Sequence, residues 1–373
     1  MKKCVLVDCD NMVYRRGMKH LSGIGRTTND LMLAFDRFRD DDVEIAMFTR
    51  TVNGKIHGDF SFRLLNIPLP YGDRVNFLFK NFPLLDLLVK HDLLHIPHNY
   101  SVVNKPSKTV ITIHDAMFFS YPENFLSHEH ARQNYPRLAR ECRAIITCSN
   151  NSKSDIVKYM DIHPDKVTVV PWGVNDQTFY YEDKGEAFKK VRSALKIDRP
   201  FFMSVSCDVG RKNTVSIMRA YRQALKKKIG HDLVLVWGNC PDEYRNEFAA
   251  EIQAGNIKII GNVDDDLLRL LYCASTLSWF PSKYEGFGLP ILESMACGTP
   301  VVTCRNSSLM EVGGSTALYV DPDGLDEMTD VMLAFDKGIA GYDELVSDSI
   351  AHSKRYTWEN TARMYMEFYK SNM

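Results

Sequence analysis

What most constrains this chain of 373 residues is an alternation, met twice, of short β-branched runs with stretches of helical periodicity. In the first half the strand-like runs are Cys4–Asp8, Glu44–Thr49, Leu93–Pro97, Thr109–His114, Ala144–Cys148 and Val167–Val170. Helices are expected between them at Thr28–Phe38, Asn76–Lys90, His128–Cys142 and Ser152–Met160. In the second half the strands are Phe201–Ser206, Leu233–Trp237, Ile257–Ile260, Thr276–Phe280, Pro300–Thr303 and Leu318–Val320. Their helices fall at Thr214–Lys227, Asp264–Ala274, Leu289–Ala296 and Leu325–Asp336. Near-continuous apolar strands separated by helices describe parallel sheets covered on both faces. Twice over, this gives an α/β chain of two Rossmann-like, doubly wound domains.

The break is expected within Pro171–Arg199, where few apolar residues fall between Phe179 and Val191 and Glu182-Asp183-Lys184-Gly185-Glu186 forms a charged run. The domains are then 1–175 and 176–356, with a last helix over 357–373, N-capped by Thr357, that returns to the first. Ligands of such sheets lie at the carboxyl ends of the strands, here a cleft between the halves. Lys and Arg total 46 against 47 Asp and Glu, so no charge excess draws the chain to nucleic acid. The first apolar run, Cys4-Val5-Leu6-Val7, is cut short by Asp8 and is no secretory signal, and no run approaches the ~18 apolar residues of a membrane span. Nine cysteines, scattered from Cys4 to Cys304 without a C-x-x-C pair, read as reduced thiols in the cytoplasm.

The segment Pro281-Ser282-Lys283-Tyr284-Glu285-Gly286-Phe287-Gly288-Leu289-Pro290-Ile291-Leu292-Glu293-Ser294-Met295-Ala296-Cys297-Gly298-Thr299-Pro300 carries the chemistry. It reads as the end of a strand, a glycine loop and a helix. Gly286 and Gly288 let backbone approach a ligand, and Pro290 suits a first helical turn. The unpaired N–H groups of that turn, at the positive end of the helix dipole, favour a phosphate. Glu285 in the loop and Glu293 in the first turn can face one cleft, where carboxylates accept hydrogen bonds from sugar hydroxyls. Taken singly, two glutamates or a Gly-x-Gly carry little weight.

The whole string resembles the donor-site signature of the family-4 retaining glycosyltransferases of the GT-B fold, with its frame Pro-Ser…Glu-Gly-Phe-Gly-Leu-Pro…Glu…Ala…Gly-x-Pro-Val. Other elements keep the family's order. Ser22-Gly23-Ile24-Gly25-Arg26 is similar to its N-terminal glycine loop, which lies beside the acceptor and the donor phosphates; Gly23 and Gly25 are the residues carried over. Thr112-Ile113-His114-Asp115, followed by Tyr121-Pro122-Glu123, resembles the His-Asp element whose histidine lines the donor-sugar pocket. Pro171-Trp172-Gly173-Val174-Asn175 is similar to the turn that ends the family's first domain. Gly210-Arg211-Lys212-Asn213 sets a planar fork and a point charge at a helix start, suited to a diphosphate. Two departures stand out: Ser204-Val205-Ser206-Cys207 where many members carry glycine, and Ser294 where alanine is commoner.

The resemblance implies transfer of a hexose from a nucleotide-diphosphate sugar to a glycan hydroxyl, with retention at the anomeric carbon. Arg211, Lys212 and the backbone of Gly286, Phe287, Gly288 and Leu289 would stabilise the departing diphosphate. Glu285 would bind the sugar and Glu293 the ribose; Val263 completes the donor site, and His114 joins Arg211, Lys212 and Glu285 in the catalytic set. By the same resemblance the donor leans to GDP-mannose, then a UDP-hexose, and the acceptor is a glycan or lipid-linked glycan of bacterial surface polysaccharide or lipopolysaccharide assembly. No cofactor is implied and the reaction is metal-independent: Asp8-Cys9-Asp10 and Asp264-Asp265-Asp266 look like metal-binding Asp-x-Asp motifs, but sit at a strand end and a helix start. The rivals are a nucleotide-sugar epimerase, a haloacid-dehalogenase-type phosphatase built on Asp8 and Asp10, and an inactive nucleotide-sugar-binding module. The apolar segment Val75–Val89 is read first as a core helix, with peripheral contact at the inner membrane face as its alternative.

Overall fold

The computed structural model describes residues 2–13, 21–51, 55–56, 58–67, 82, 84–98, 105–121, 126–207, 210–261 and 263–373. The chain forms two compact units, Met1–Gly173 with Trp358–Met373, and Val174–Thr357.

Among the described residues the first unit holds β1 (Lys3–Asp8), β2 (Val43–Thr49), β3 (Arg63–Asn66), β4 (Leu93–Ile96), β5 (Thr109–Thr112), β6 (Ala144–Thr147) and β7 (Val167–Val169). They make one parallel sheet in the order β3-β2-β1-β4-β5-β6-β7. The strand period of two sends Val5 and Val7 to one face and Leu6 to the other, and each face has its own buried core. Helix Gly23–Arg37 and the last helix, Trp358–Asn372, cover the first face through Phe35, Tyr365 and Tyr369. The second unit holds β8 (Phe201–Val205), β9 (Asp232–Val236), β10 (Ile257–Ile260), β11 (Leu277–Phe280), β12 (Val301–Cys304) and β13 (Leu318–Val320). They too are parallel, in the order β10-β9-β8-β11-β12-β13. None of the nine cysteines is in a disulfide.

Several elements differ from the sequence expectation. The glycine segment after β1 is no loop: Ser22 is an N-cap whose hydroxyl accepts from Gly25 N, so Gly23–Gly25 is the first turn of a helix running to Arg37. The run Glu182–Glu186, read as linker, starts a helix Lys184–Leu195 in which Asp183 caps Glu186 N. Its few apolar residues suffice because Ala187 and Val191, four apart, are the ones buried. Edge strand β3 and helix Tyr342–Ser353 were not expected, as neither carries a strong apolar pattern. Within Asn76–Lys90 the described helix is only Leu84–Leu88; Leu85 and Val89 join the core while Phe82, Leu87 and Leu88 are exposed. The rest of Val75–Val89, like Pro122 and Glu123, lies outside the described residues. No described helix is long and apolar enough to cross a membrane.

The last helix is locked to the first sheet by a buried polar chain. Tyr369 Oη lies 2.6 Å from His95 Nδ1, and His95 Nε2 lies 2.9 Å from Thr112 Oγ1. Removing the hydroxyl strands a buried imidazole nitrogen, so Tyr369→Phe is expected to lower stability by about 1–3 kcal/mol, read from a denaturant midpoint. An unchanged midpoint would mean that another donor reaches His95.

Candidate active site

In the second unit the loops after β8 and β11 meet. Gly210–Lys212 forms a short 3-10 turn closed by Asn213, which adopts a left-handed conformation at φ 59°. Asn213 is pinned there: its Nδ2 donates to Pro322 O at 2.6 Å, and Ser216 Oγ donates to its Oδ1 at 2.7 Å. The turn presents Arg211 and Lys212 to Glu285. Lys212 Nζ is 2.6 Å and Arg211 Nη1 2.9 Å from the same Glu285 oxygen, Oε1. Arg211 Nη1 also donates to Tyr284 O at 3.0 Å, and Lys283 N donates to Arg211 O at 2.7 Å. Lys212 stands over the Phe280 ring, 4.7 Å from its centre.

Burial pushes the Glu285 carboxyl up, yet the Lys212 and Arg211 charges beside it outweigh that and hold it below the ordinary carboxylate range. The loop that carries Glu285 is clasped by the segment after β12. Glu285 N donates to Ser307 Oγ at 3.0 Å, and Ser308 Oγ reaches both Glu285 O (2.9 Å) and Phe287 O (2.8 Å). Sequence reasoning missed Ser307 and Ser308 and gave Asn213, named in its motif, no role of its own, because each works through backbone groups that periodicity does not report.

Gly288 opens the helix Leu289–Ala296 at φ 114°, a backbone conformation closed to L side chains, and a Cβ there would meet Leu309 at 3.1 Å. Glu293 is the fifth residue of that helix, one turn deeper than the first-turn place read from the sequence. Its carboxylate is buried, with Tyr272 Oη 3.4 Å from Oε2. The departure at Ser294 is structural: its hydroxyl donates to Thr299 O at 2.9 Å in the core. Ser206, in the other departure, bonds Thr214 at the start of the helix Thr214–Lys226. Val263 follows edge strand β10, which β9 separates from β8.

His114, Gly23 and Gly25 belong to the first unit. His114 follows β5, is buried, packs against Trp172 and has Nε2 3.2 Å from Pro97 O. Burial, aided by the charge of His98, lowers its pKa to about 4, so the ring is neutral at pH 7. Gly25 must be glycine because a Cβ would lie 2.8 Å from Asn11 O, whereas Gly23 has open space around it. Asp264 caps its helix through Leu267 N. Asp8 and Asp10 are buried beside Arg50 and His98.

A parallel sheet with paired cations, a buried glutamate and a glycine-led helix start at its carboxyl edge is suited to an anionic, hydroxylated ligand. The model described as Glycosyltransferase Family 4 matches residues 21–178, and that described as Glycosyl transferases group 1 matches residues 202–335. The chain belongs to glycosyltransferase family 4. It is 25% identical over 287 residues to the O-antigen chain mannosyltransferase B of Escherichia coli, covering 75% of this chain and 74% of that one. It is 27% identical over 274 residues to the serotype-specific mannosyltransferase WbdA of Escherichia coli, covering 71% of this chain but 33% of that longer protein. The sucrose-phosphate synthase structure from Thermosynechococcus elongatus superposes with a TM-score of 0.76 at 19% identity, over 99% of both chains. The fold is therefore GT-B, and the family is one of enzymes, so the phosphatase reading of Asp8 and Asp10 is not retained.

Proposed function

We propose that this family-4 enzyme moves mannose from GDP-mannose to a hydroxyl of a growing glycan, with retention, in bacterial surface polysaccharide assembly. The observation that carries the nucleotide-sugar part is the Arg211–Lys212–Glu285 cluster at the carboxyl ends of β8 and β11, beside the helix that starts at Leu289. The mannose part is supported by the names of the relatives, an O-antigen chain mannosyltransferase and a serotype-specific mannosyltransferase.

In this reading Arg211 and Lys212 turn from Glu285 toward the diphosphate, and the 286–289 backbone supplies further donors. Glu285, released in part from its cations, takes hydroxyls of the transferred sugar; Glu293 takes those of the ribose. Val263 borders the donor; by the family resemblance Gly23 and Gly25 serve the acceptor and phosphates, and His114 the sugar. The acceptor oxygen attacks the anomeric carbon on the face from which the diphosphate departs. The C1–O bond to the β-phosphate breaks as the new C–O bond forms, and the acceptor proton passes to the departing phosphate oxygen. The protein's share is to stabilise the developing charge and to keep water from the donor.

A thermal-shift panel of GDP, UDP, ADP and their sugars tests the donor. A ligand bound by the folded state raises the melting temperature by mass action, about 2.7 kcal/mol of stability at one hundred times Kd. GDP and GDP-mannose are expected to give the rise. A rise with UDP but not GDP overturns the mannose assignment and leaves the glycosyl-transfer reading standing; no rise with any nucleotide overturns both.

A further inference from the structure

We propose that Lys184 is a modification site: its side-chain amine takes an acyl group from an activated donor, an acyl phosphate or an acyl thioester. This goes beyond glycosyl transfer and does not depend on it. Lys184 begins the helix Lys184–Leu195, and its side chain reaches the first residue of the helix Tyr342–Ser353. Its Nζ donates to Tyr342 Oη at 2.8 Å and stands 4.8 Å from the centre of the Tyr342 ring. Phe335 packs edge-on against that ring, and Tyr342 Oη donates in turn to Thr276 O at 2.9 Å, at the amino end of β11. The amine therefore lies at the edge of the second sheet opposite Arg211, Lys212 and Glu285.

A partly buried ammonium is costly without a counter-charge, and the surrounding elements offer it none. Lys189 and Lys190 of the same helix pair with Glu186 and Glu182, but among the described residues no carboxylate forms an ion pair with Lys184. The acids around it are engaged elsewhere. Asp183 caps Glu186 N, and Asp336 Oδ1 accepts from the backbone N–H groups of Gly230 and His231 and lies 2.6 Å from His231 Nδ1. Asp343 acts on the Tyr342 phenol and makes no ion pair with Lys184. Tyr342 itself stays neutral, because burial pushes its phenol up and its proton is given to Thr276 O. His231, within electrostatic reach of Lys184, is a base and supplies no negative charge.

Burial that no carboxylate relieves lowers the amine to about 8. At pH 7 about a tenth of it is then neutral, against under about one in a thousand for a lysine at ~10.4. The neutral amine keeps its place: one N–H still goes to Tyr342 Oη, and the lone pair is left for an electrophile. Because the side chain is only partly buried, a small donor can reach it. Attack on the acyl carbonyl carbon forms the C–N bond of an amide. The C–O bond to phosphate, or the C–S bond of the thioester, breaks and its electron pair leaves with the phosphate or the thiolate. The nitrogen gives one proton to water, and the amide keeps an N–H for Tyr342 Oη.

The test incubates the full native chain at pH 7 with acetyl phosphate and, separately, with acetyl-CoA, and reads the acetylation of each lysine by peptide mass spectrometry. Lys189 and Lys227, both more than half exposed, are the references. With at least one donor Lys184 is expected to label faster than either reference by roughly tenfold or more, the larger neutral fraction outweighing the weaker nucleophilicity and partial burial; the arm that gives the excess names the source. The rate at Lys184 is expected to level off above about pH 8 while that at Lys227 goes on rising. In denaturant, where all lysines share one environment, the excess is expected to vanish. Lys184 labelled no faster than Lys189 and Lys227 by both donors overturns the assignment. So does an excess that persists in denaturant, or a rate at Lys184 that climbs with pH in parallel with that at Lys227.

Discussion

Lys212→Ala is expected to erase the melting-temperature rise given by nucleoside diphosphate and to lower kcat/KM by about 10²–10³-fold. The reason lies in where the ammonium is held. Lys212 Nζ sits 2.6 Å from Glu285 Oε1 and over the Phe280 ring, on a turn that Asn213 pins to Pro322 O. The turn itself is fixed, so only the lysine side chain has to swing from Glu285 when a diphosphate develops charge beside it. Arg211 remains in the variant and stays 2.9 Å from Glu285, so the fold keeps one of its two ion pairs and the loss falls on binding and rate. Lys227→Ala is the control: that lysine caps the far end of the helix Thr214–Lys226 that follows the turn, is more than half exposed and stands 3.5 Å from Asp330. It should leave both readouts in place. A Lys212→Ala enzyme with a native nucleotide response would remove Lys212 from the donor site.

Acidification from pH 6.5 to pH 5 is expected to destabilise the first unit by about 3 kcal/mol through two histidines. Burial, aided by neighbouring imidazoles, holds His95 at about 3 and His114 at about 4. In the unfolded chain each titrates near ~6.5. The folded values are depressed, so the unfolded chain binds protons first as pH falls. The stabilisation is full above pH 6.5, is lost as pH drops toward the folded values, and changes no further below them. Denaturant midpoints at pH 7, 6 and 5 give the slope directly, and a His95→Gln/His114→Gln double variant should lose most of it. A native protein with a flat profile over this range would show that both rings can take up protons within the fold.

The architecture was legible because apolar runs of β-branched residues and helical periodicity report burial directly. Phe280 ends a strand, Gly288 turns the backbone and Leu289–Ala296 is a helix, as the string 281–300 reads on its own. Where burial leaves a weak trace, reading failed. β3 is a partly exposed edge strand, Lys184–Leu195 buries only two side chains, and the Gly23–Gly25 turn looks like a loop because glycine disfavours helices.

By itself the sequence determined which faces are apolar, that the alternation builds parallel sheets, and through one twenty-residue string which family the chain joins. Tertiary structure alone decided who meets whom. Lys212 and Glu285 are 73 residues apart, and Tyr369 and His95 274 apart. Periodicity states which way a side chain points but not which strand lies alongside, and only strand order brings β8 next to β11 and β1 next to β4. The same physics explains Asp8-Cys9-Asp10. As a string it resembles a metal or phosphatase motif; folded, its carboxylates face Arg50 and His98, because β1 lies between β2 and β4 and the loops that follow those two strands converge on its end.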